Sequence, residues 1–239
     1  MRTSWPAERS LASEANLRPG DAVSMTTIGI LGTGNVARAL TGGLREAGHT
    51  LIIGSRHAKA RTSLRWIADA GARLTDTADA ARSADVVVNA TPGEHSLALL
   101  TSLRRELEGK VLIDTANAVE QGADGLAARL LHPDTSLAEE IQRAMPRTRV
   151  VKTLNTMGPA SLMAAPQSLS VPPVAFLSGD DPAAKRTVAG LLGDLGWPPH
   201  QVIDLGGIAS ARVPEAFVLL VRPLIRALGP VPLALSVAR

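Results

Sequence analysis

The chain has 239 residues, 45% of them apolar and 20% charged, enough to bury a sizeable core and too apolar in balance for a disordered polypeptide. Its 25 basic and 22 acidic side chains leave a net charge of +3, and the basic residues form no run, which argues against nucleic acid as a partner. The absence of cysteine excludes disulfides, thiolate metal sites, iron–sulfur clusters and thiol nucleophiles, and the absence of tyrosine excludes a tyrosine general acid.

Residues 1–25 are polar and charged and lack the apolar h-region of a secretory signal, so they are expected to be a flexible tail. No run of eighteen apolar residues follows that could span a membrane, and the cytoplasm is the expected compartment. Beyond the tail, strands and helices alternate. A buried strand is predicted at Thr27–Leu31. A helix follows at Asn35–Ala47, with Val36, Leu40 and Leu44 on one face and Gly48 at its end. A second strand is predicted at Leu51–Gly54, a helix at Arg61–Ala70 and a short strand at Ala72–Leu74. The run Asp85–Ala90 is a strong strand, followed by a helix over Ser96–Glu108. Strands at Lys110–Asp114 and Arg149–Thr153 complete the first part.

After Asn155 the prolines Pro159, Pro166, Pro172 and Pro173 break the pattern. A strand at Val174–Leu177, a helix at Pro182–Leu195 and a strand at Gln201–Asp204 then form a second α/β unit. A long helical pattern over Ala209–Leu228 carries Pro214 and Pro223, which should bend or segment it, and a last strand is expected at Leu233–Val237. Alternating strands and helices of this kind build a parallel sheet covered on both faces.

Four motifs fall where strands of such a sheet end. Gly32-Thr33-Gly34-Asn35-Val36-Ala37 lies between the first strand and first helix and has the G-x-G-x-x-A form of a dinucleotide fingerprint. Gly32 permits the tight turn, Gly34 lets a pyrophosphate approach, and the helix start offers free N–H groups to the phosphates. The fold class is therefore α/β: a Rossmann-type doubly wound parallel sheet over 26–157, then a small C-terminal α/β lobe over 158–239. Ser55 and Arg56 end the second strand where an NAD enzyme carries a carboxylate, with Lys59 nearby. A hydroxyl and cations suit a 2′-phosphate and so favour NADP(H) over NAD(H). Thr91 and Pro92 follow the fourth strand and are expected beside the nicotinamide ribose. Asn155, Thr156 and Met157 follow the sixth: Asn155 is assigned to the cofactor, Thr156 and Met157 to a second ligand. His95 is one candidate proton carrier, but a surface histidine at a helix start is the commoner case. No His/Asp/Glu spacing suggests a metal.

Ile28 to Arg56 as a whole resembles the NADPH-dependent coenzyme F420 reductase family, the F420H2:NADP oxidoreductases. Asp114-Thr115-Ala116-Asn117, Val151-Lys152-Thr153-Leu154-Asn155-Thr156, and Asp204-Leu205-Gly206 with Ala211-Arg212 and Glu215 resemble its later motifs in order. The resemblance covers residues 26–239 and implies a homodimer in which F420 lies across the cleft from NADP. The NADPH-and-flavin domains of membrane metalloreductases are similar, so the second ring is F420 or a flavin. Two positions differ from the family pattern: Ala118 replaces a proline, and Leu154 replaces a phenylalanine expected at the ring pocket.

Passing a hydride between two flat rings requires that they be held face to face at roughly 3–3.5 Å, and no catalytic side chain is required. Gly206, Gly207 and Ile208, after a strand of the second lobe, are expected to form the opposite wall of the ring site. Two other readings remain. One is an NADPH-dependent reductase of a carbonyl or imine, with Lys152, His95 or Asp114 as proton donor. The other is a non-catalytic NADP-binding regulatory protein.

Overall fold

The computed structural model describes residues 25–56 and 65–238. Residues 1–24 of the expected tail and residues 57–64, among them His57, Lys59 and Arg61, lie outside the described residues. The first half contains β1 (Thr27–Leu31), α1 (Asn35–Glu46), β2 (Thr50–Gly54), α2 (Arg65–Asp69), β3 (Arg73–Thr75), α3 (Thr77–Ser83), β4 (Val86–Asn89), α4 (Gly93–Ser102), α5 (Arg104–Leu107) and β5 (Val111–Asp114). A hairpin of β6 (Val119–Gln121) and β7 (Ala127–Leu130) precedes α6 (Leu137–Ala144) and β8 (Arg149–Lys152). The remainder contains β9 (Met157–Gly158), β10 (Ala175–Leu177), α7 (Pro182–Asp194), β11 (Val202–Asp204), α8 (Arg212–Ala216), α9 (Val218–Leu228) and β12 (Leu233–Ala234).

Six strands form one parallel sheet in the order β3-β2-β1-β4-β5-β8, the doubly wound arrangement. Its central strands are apolar along most of their length because helices cover both faces: Ile28, Ile30 and Leu31 of β1 and Val86, Val87 and Val88 of β4 are all buried. On one face α1 packs Ala37, Leu40 and Leu44, and full burial of each leucine stabilises by about 1.5–3 kcal/mol. On the other face α3 lies unusually close to the sheet. A Cβ on Gly29 would stand 2.8 Å from the Ala80 carbonyl oxygen, and one on Gly54 would stand 2.9 Å from the Ala80 Cβ.

The residues after Met157 share this core. Ala175, Leu177, Val188, Leu191, Leu192 and Trp197 lie in the same apolar cluster as Ile30, Leu40 and Leu44. The Trp197 indole donates to the Met163 carbonyl at 2.9 Å. Buried His49 lies 3.1 Å from Asp194 Oδ2 at the end of α7. β10 and β11 pair in parallel around α7, and β10 meets β8 through an antiparallel Lys152–Ser178 bridge.

The structure departs from the expected elements in several places. The helix expected over Ser96–Glu108 begins at Gly93 and divides at Leu103. The pattern at Ala209–Leu228 becomes a tight turn at Ile208–Ala211, then α8 and α9, with Pro214 in α8 and Pro223 inside α9. The final strand is only two residues, paired antiparallel with β9. Four elements were not expected: α3, whose apolar side is only alanine; the β6–β7 hairpin; the two-residue β9; and α6. The last carries a readable start signal, for Ser136 Oγ accepts the Glu139 N–H at 3.1 Å and donates to the Glu139 carboxylate at 2.9 Å.

Candidate functional site

Because the six strands are parallel, their C-terminal ends share one edge, and the loops there touch in sequence. Gly32, at φ 118°, donates its N–H to the Gly54 carbonyl at 3.0 Å. A Cβ at Gly32 would stand 2.5 Å from the Ala90 carbonyl oxygen, so the end of β1 fits between the ends of β2 and β4 only as glycine. Gly34 differs. Its Cβ would meet nothing within 4 Å, and it is the N-cap of α1, with no side-chain cap and no acidic residue in the first turn. Gly34 and Asn35 are exposed, Thr33 and Val36 half-buried, and Ala37 packs beneath. The helix start thus faces open space with its N–H groups unclaimed by any capping side chain, as a pyrophosphate requires. Ser55 is buried at the end of β2 and Arg56 is exposed beside it, so no carboxylate stands where an adenosine 2′-phosphate would lie. Lys59, assigned to the same role, lies outside the described residues.

Thr91 and Pro92 form the next turn. Thr91 Oγ1 donates to the buried Asn89 Oδ1 at 2.6 Å and lies 2.8 Å from Ser96 Oγ in α4. A Cβ on Gly93 would collide with the Asn117 carbonyl, so the start of α4 presses on the loop after β5. Asn117 and Asn155 then exchange bonds: Asn117 Nδ2 donates to the Asn155 carbonyl and Asn155 Nδ2 to Asn117 Oδ1, each at 2.9 Å. Asn155, expected to offer its amide to the cofactor, is therefore buried as a strut between the ends of β5 and β8. The sequence signal for its partner was the asparagine of Asp114-Thr115-Ala116-Asn117. Thr156 is buried, and its carbonyl accepts the Leu235 N–H at 3.2 Å, so the C-terminal segment covers this corner. Met157 is half-buried in β9.

Gly206, Gly207 and Ile208 are not at this edge. β10 runs antiparallel to β8, and β11 runs parallel to β10, so the chain leaving β11 heads toward the opposite end of the sheet. The Gly206 carbonyl accepts the Gly179 N–H at 3.1 Å, and Ile208 donates to Asp180 Oδ1 at 2.8 Å. Ile208 lines a hollow with Thr148 and Arg149, where β8 begins. The expected second wall is thus corrected: the segment opposite Thr156 and Met157 is β12 and the residues after it. Leu154 also needs correction as a ring-pocket residue. At φ 61° its side chain is buried in the core with Leu40, Leu44 and Val188, so its difference from the family leaves the cleft unchanged.

The proton donors considered for carbonyl chemistry fare differently. His95 is 58% exposed at the start of α4, 3.8 Å from Glu94. Lys152 is wholly buried, with Nζ 2.8 Å from Asp114 Oδ2 and 2.9 Å from Glu215 Oε1, and it also donates to the Ala116 carbonyl. Burial pulls the Lys152 ammonium toward losing its proton, but the two carboxylates outweigh it and raise its pKa. A lysine held so does not give up its proton near neutrality. Among the described residues no group of His, Cys, Asp and Glu could hold a metal ion, and no helix is long and apolar enough to cross a membrane.

Comparison with known proteins agrees with this geometry. The family described as NADP oxidoreductase, coenzyme F420-dependent, matches residues 27–118. The F420-dependent NADP reductase of Methanothermobacter thermautotrophicus is 29% identical over 194 residues, 77% of this chain and 82% of that one. Metalloreductase STEAP3 of Rattus norvegicus is 33% identical over 196 residues, which is 82% of this chain but 37% of that protein; the chain spans about two fifths of the metalloreductases it matches. A crystal structure from Arthrobacter sp. FB24, provisionally named an F420-dependent NADP reductase, superposes with a TM-score of 0.81 at 40% identity over 90% of this chain and 100% of that one. With a Rossmann sheet, an uncapped fingerprint helix and a relative matched over its whole length, the chain belongs to the family of coenzyme F420-dependent NADP oxidoreductases.

Proposed function

We propose that the protein transfers a hydride between NADP(H) and coenzyme F420. The observation that carries this reading is the glycine-opened, acid-free start of α1 followed by Ser55 and Arg56: this donor set fits a pyrophosphate and a 2′-phosphate. When bound, the nicotinamide and the deazaflavin supply the redox chemistry themselves. The chain's task is to hold them. Gly32 to Val36 take the pyrophosphate, Ser55, Arg56 and Lys59 the adenosine end, and Thr91 and Pro92 the nicotinamide ribose. Asn155 and the buried Thr156 brace the floor, and Met157 and the C-terminal segment form the side that meets the second ring and keeps water out. The pinned state of Lys152 and the exposure of His95 favour this over a carbonyl or imine reductase, which needs a proton donor in the cleft.

The test is a spectrophotometric screen of NADPH oxidation with F420, FMN, FAD and a panel of ketones and imines. F420 should be reduced directly and fastest, with flavins slow or inert. If F420 and flavins are inert while an imine or ketone is reduced with a bell-shaped pH profile, the reading fails. A homodimer belongs to the same proposal. What supports it is α9, an apolar helix with no buried residue, on which Leu219, Leu220 and Leu228 are exposed. Light scattering should give twice the 24.9 kDa of one chain, and a single-chain mass would remove this part.

A further inference from the structure

Beneath the C-terminal edge of the sheet lies a polar line that neither the fingerprint nor the ring chemistry uses. It begins on α8, where Glu215 Oε1 lies 2.9 Å from Lys152 Nζ. Lys152, at the end of β8, lies 2.8 Å from Asp114 Oδ2 at the end of β5. Asn89 Nδ2, at the end of β4, donates to Asp114 Oδ1 at 2.8 Å. The Asn89 Oδ1 in turn accepts Thr91 Oγ1 at 2.6 Å. Asn89, Asp114, Lys152 and Glu215 are all buried, and each comes from a different element.

The line is saturated as well as continuous. All three ammonium protons of Lys152 are used, on Asp114, Glu215 and the Ala116 carbonyl. Asp114 Oδ1 also accepts the Ala116 N–H at 3.2 Å. Two carboxylates face one ammonium, and the surplus charge falls at Glu215, whose oxygens accept the Leu137 and Ala138 N–H groups at 2.8 and 3.2 Å. Those are the first residues of α6, so the positive end of that helix neutralises the surplus. A buried charge cluster is a poor way to gain stability, since apolar side chains of the same volume do as well or better. Its strength is that a fully satisfied polar network admits one arrangement only.

We infer that Lys152 and Glu215 are positioning residues: through Asp114 and Asn89 they lock the Thr91 hydroxyl, so that the C-terminal helices and the turn beside the nicotinamide hold one fixed geometry. This rests on the reading above, in which Thr91 and Pro92 flank the nicotinamide ribose. The hydrogen bonds of the line run from Glu215 to Thr91 and involve neither Gly32 nor Gly34, so it governs how the ring is held and not whether the dinucleotide binds.

The experiment uses the full chain bound to NADPH alone, with nicotinamide fluorescence and its lifetime as the readout, so it does not depend on the acceptor. The variants are Glu215→Gln, Thr91→Val, Thr91→Ser and the pair Glu215→Gln/Thr91→Val, each checked for folding by circular dichroism. Glu215→Gln and Thr91→Val should each shorten the bound lifetime toward that of free NADPH, and Glu215→Gln should do so while the NADPH Kd stays within about threefold of wild type. Thr91→Ser, which keeps the hydroxyl, should restore the wild-type lifetime. The pair should be no worse than the worse single variant, because both changes cut one line. A wild-type lifetime in Glu215→Gln, a Thr91→Ser as impaired as Thr91→Val, or effects that add in the pair would overturn the inference. If Glu215→Gln does not fold, Glu215→Asp, which keeps the charge and draws it back from Lys152, takes its place, with a shortened lifetime expected and a wild-type lifetime overturning the inference. Failure of F420 as acceptor would show separately, in the turnover assay, and leaves this result standing.

Discussion

The two glycines of the fingerprint should fail in opposite ways. Alanine at Gly32 must adopt φ 118° and place a Cβ 2.5 Å from the Ala90 carbonyl oxygen and 2.9 Å from its carbon. The backbone strain is about 1–2 kcal/mol, and forcing backbone apart in a packed site adds about 1–3 kcal/mol. The sum, about 2–5 kcal/mol, corresponds to a fall in Tm of about 4–20 °C for a chain of this size. Alanine at Gly34 meets nothing within 4 Å, and φ −81° suits it. The unfolded chain loses freedom, which favours folding by about 0.4–1 kcal/mol, and a weaker N-cap gives back a similar amount. Gly34→Ala should therefore melt within about 2 °C of wild type. Its methyl group, however, enters the space facing the α1 N–H groups, so NADPH affinity should fall at least about tenfold, about 1.4 kcal/mol. Scanning calorimetry gives the first quantity and fluorescence titration the second. A Gly34→Ala variant that binds NADPH like wild type, or a Gly32→Ala variant that melts like wild type, would refute the division of labour.

Other outcomes follow from the same geometry. Wild type should bind NADPH at least about tenfold tighter than NADH, and Arg56→Ala should lose most of that preference in titration while NADH binding is unchanged. His95→Gln should leave kcat within about twofold, and kcat/KM should be flat from pH 6 to 8, since no cleft side chain titrates with the reaction. Lys152→Met should lower stability to urea by about 3–5 kcal/mol, because it strands two buried carboxylates. Hydrogen bonds from the Arg212 guanidinium hold the Glu139 carboxyl below its ordinary value of 4.5. A depressed carboxylate stabilises the fold above its unfolded pKa and loses that contribution as pH falls through the folded one. The Tm gap between wild type and Arg212→Met should therefore be full at pH 7 and close below pH 4.5, and a gap that widens in acid would contradict the pairing.

What was legible in the sequence is what depends on local pattern. The run Asp85–Ala90, the four-residue spacing of Val36, Leu40 and Leu44, and the glycines at 32 and 34 each announced their element, because burial on both sheet faces and a helix stripe leave direct traces. α3 left none, because a helix pressed on Gly29 and Gly54 can carry only alanines, and these give no stripe. The Ser136–Glu139 start of α6 was readable as a capping box and was passed over. The position of Gly206 to Ile208 was not readable at all, since it depends on the antiparallel meeting of Lys152 and Ser178, which no local pattern encodes. The same is true of the Glu215–Lys152–Asp114–Asn89 line, whose members are joined only by the folded sheet edge. Leu154 shows a different limit: its place in the family motif suggested the ring pocket, and its left-handed backbone puts it in the core.

The central claim, direct transfer between two rings held by this chain, is tested most closely by isotope transfer. NADPH deuterated at the nicotinamide C4 on the transferred face is oxidised by F420 in ordinary water, and the reduced F420 is weighed by mass spectrometry. The account predicts that the deuterium is found in the reduced F420. A reduced product carrying only solvent hydrogen, or F420 left unreduced while NADPH is consumed by another acceptor, would contradict it.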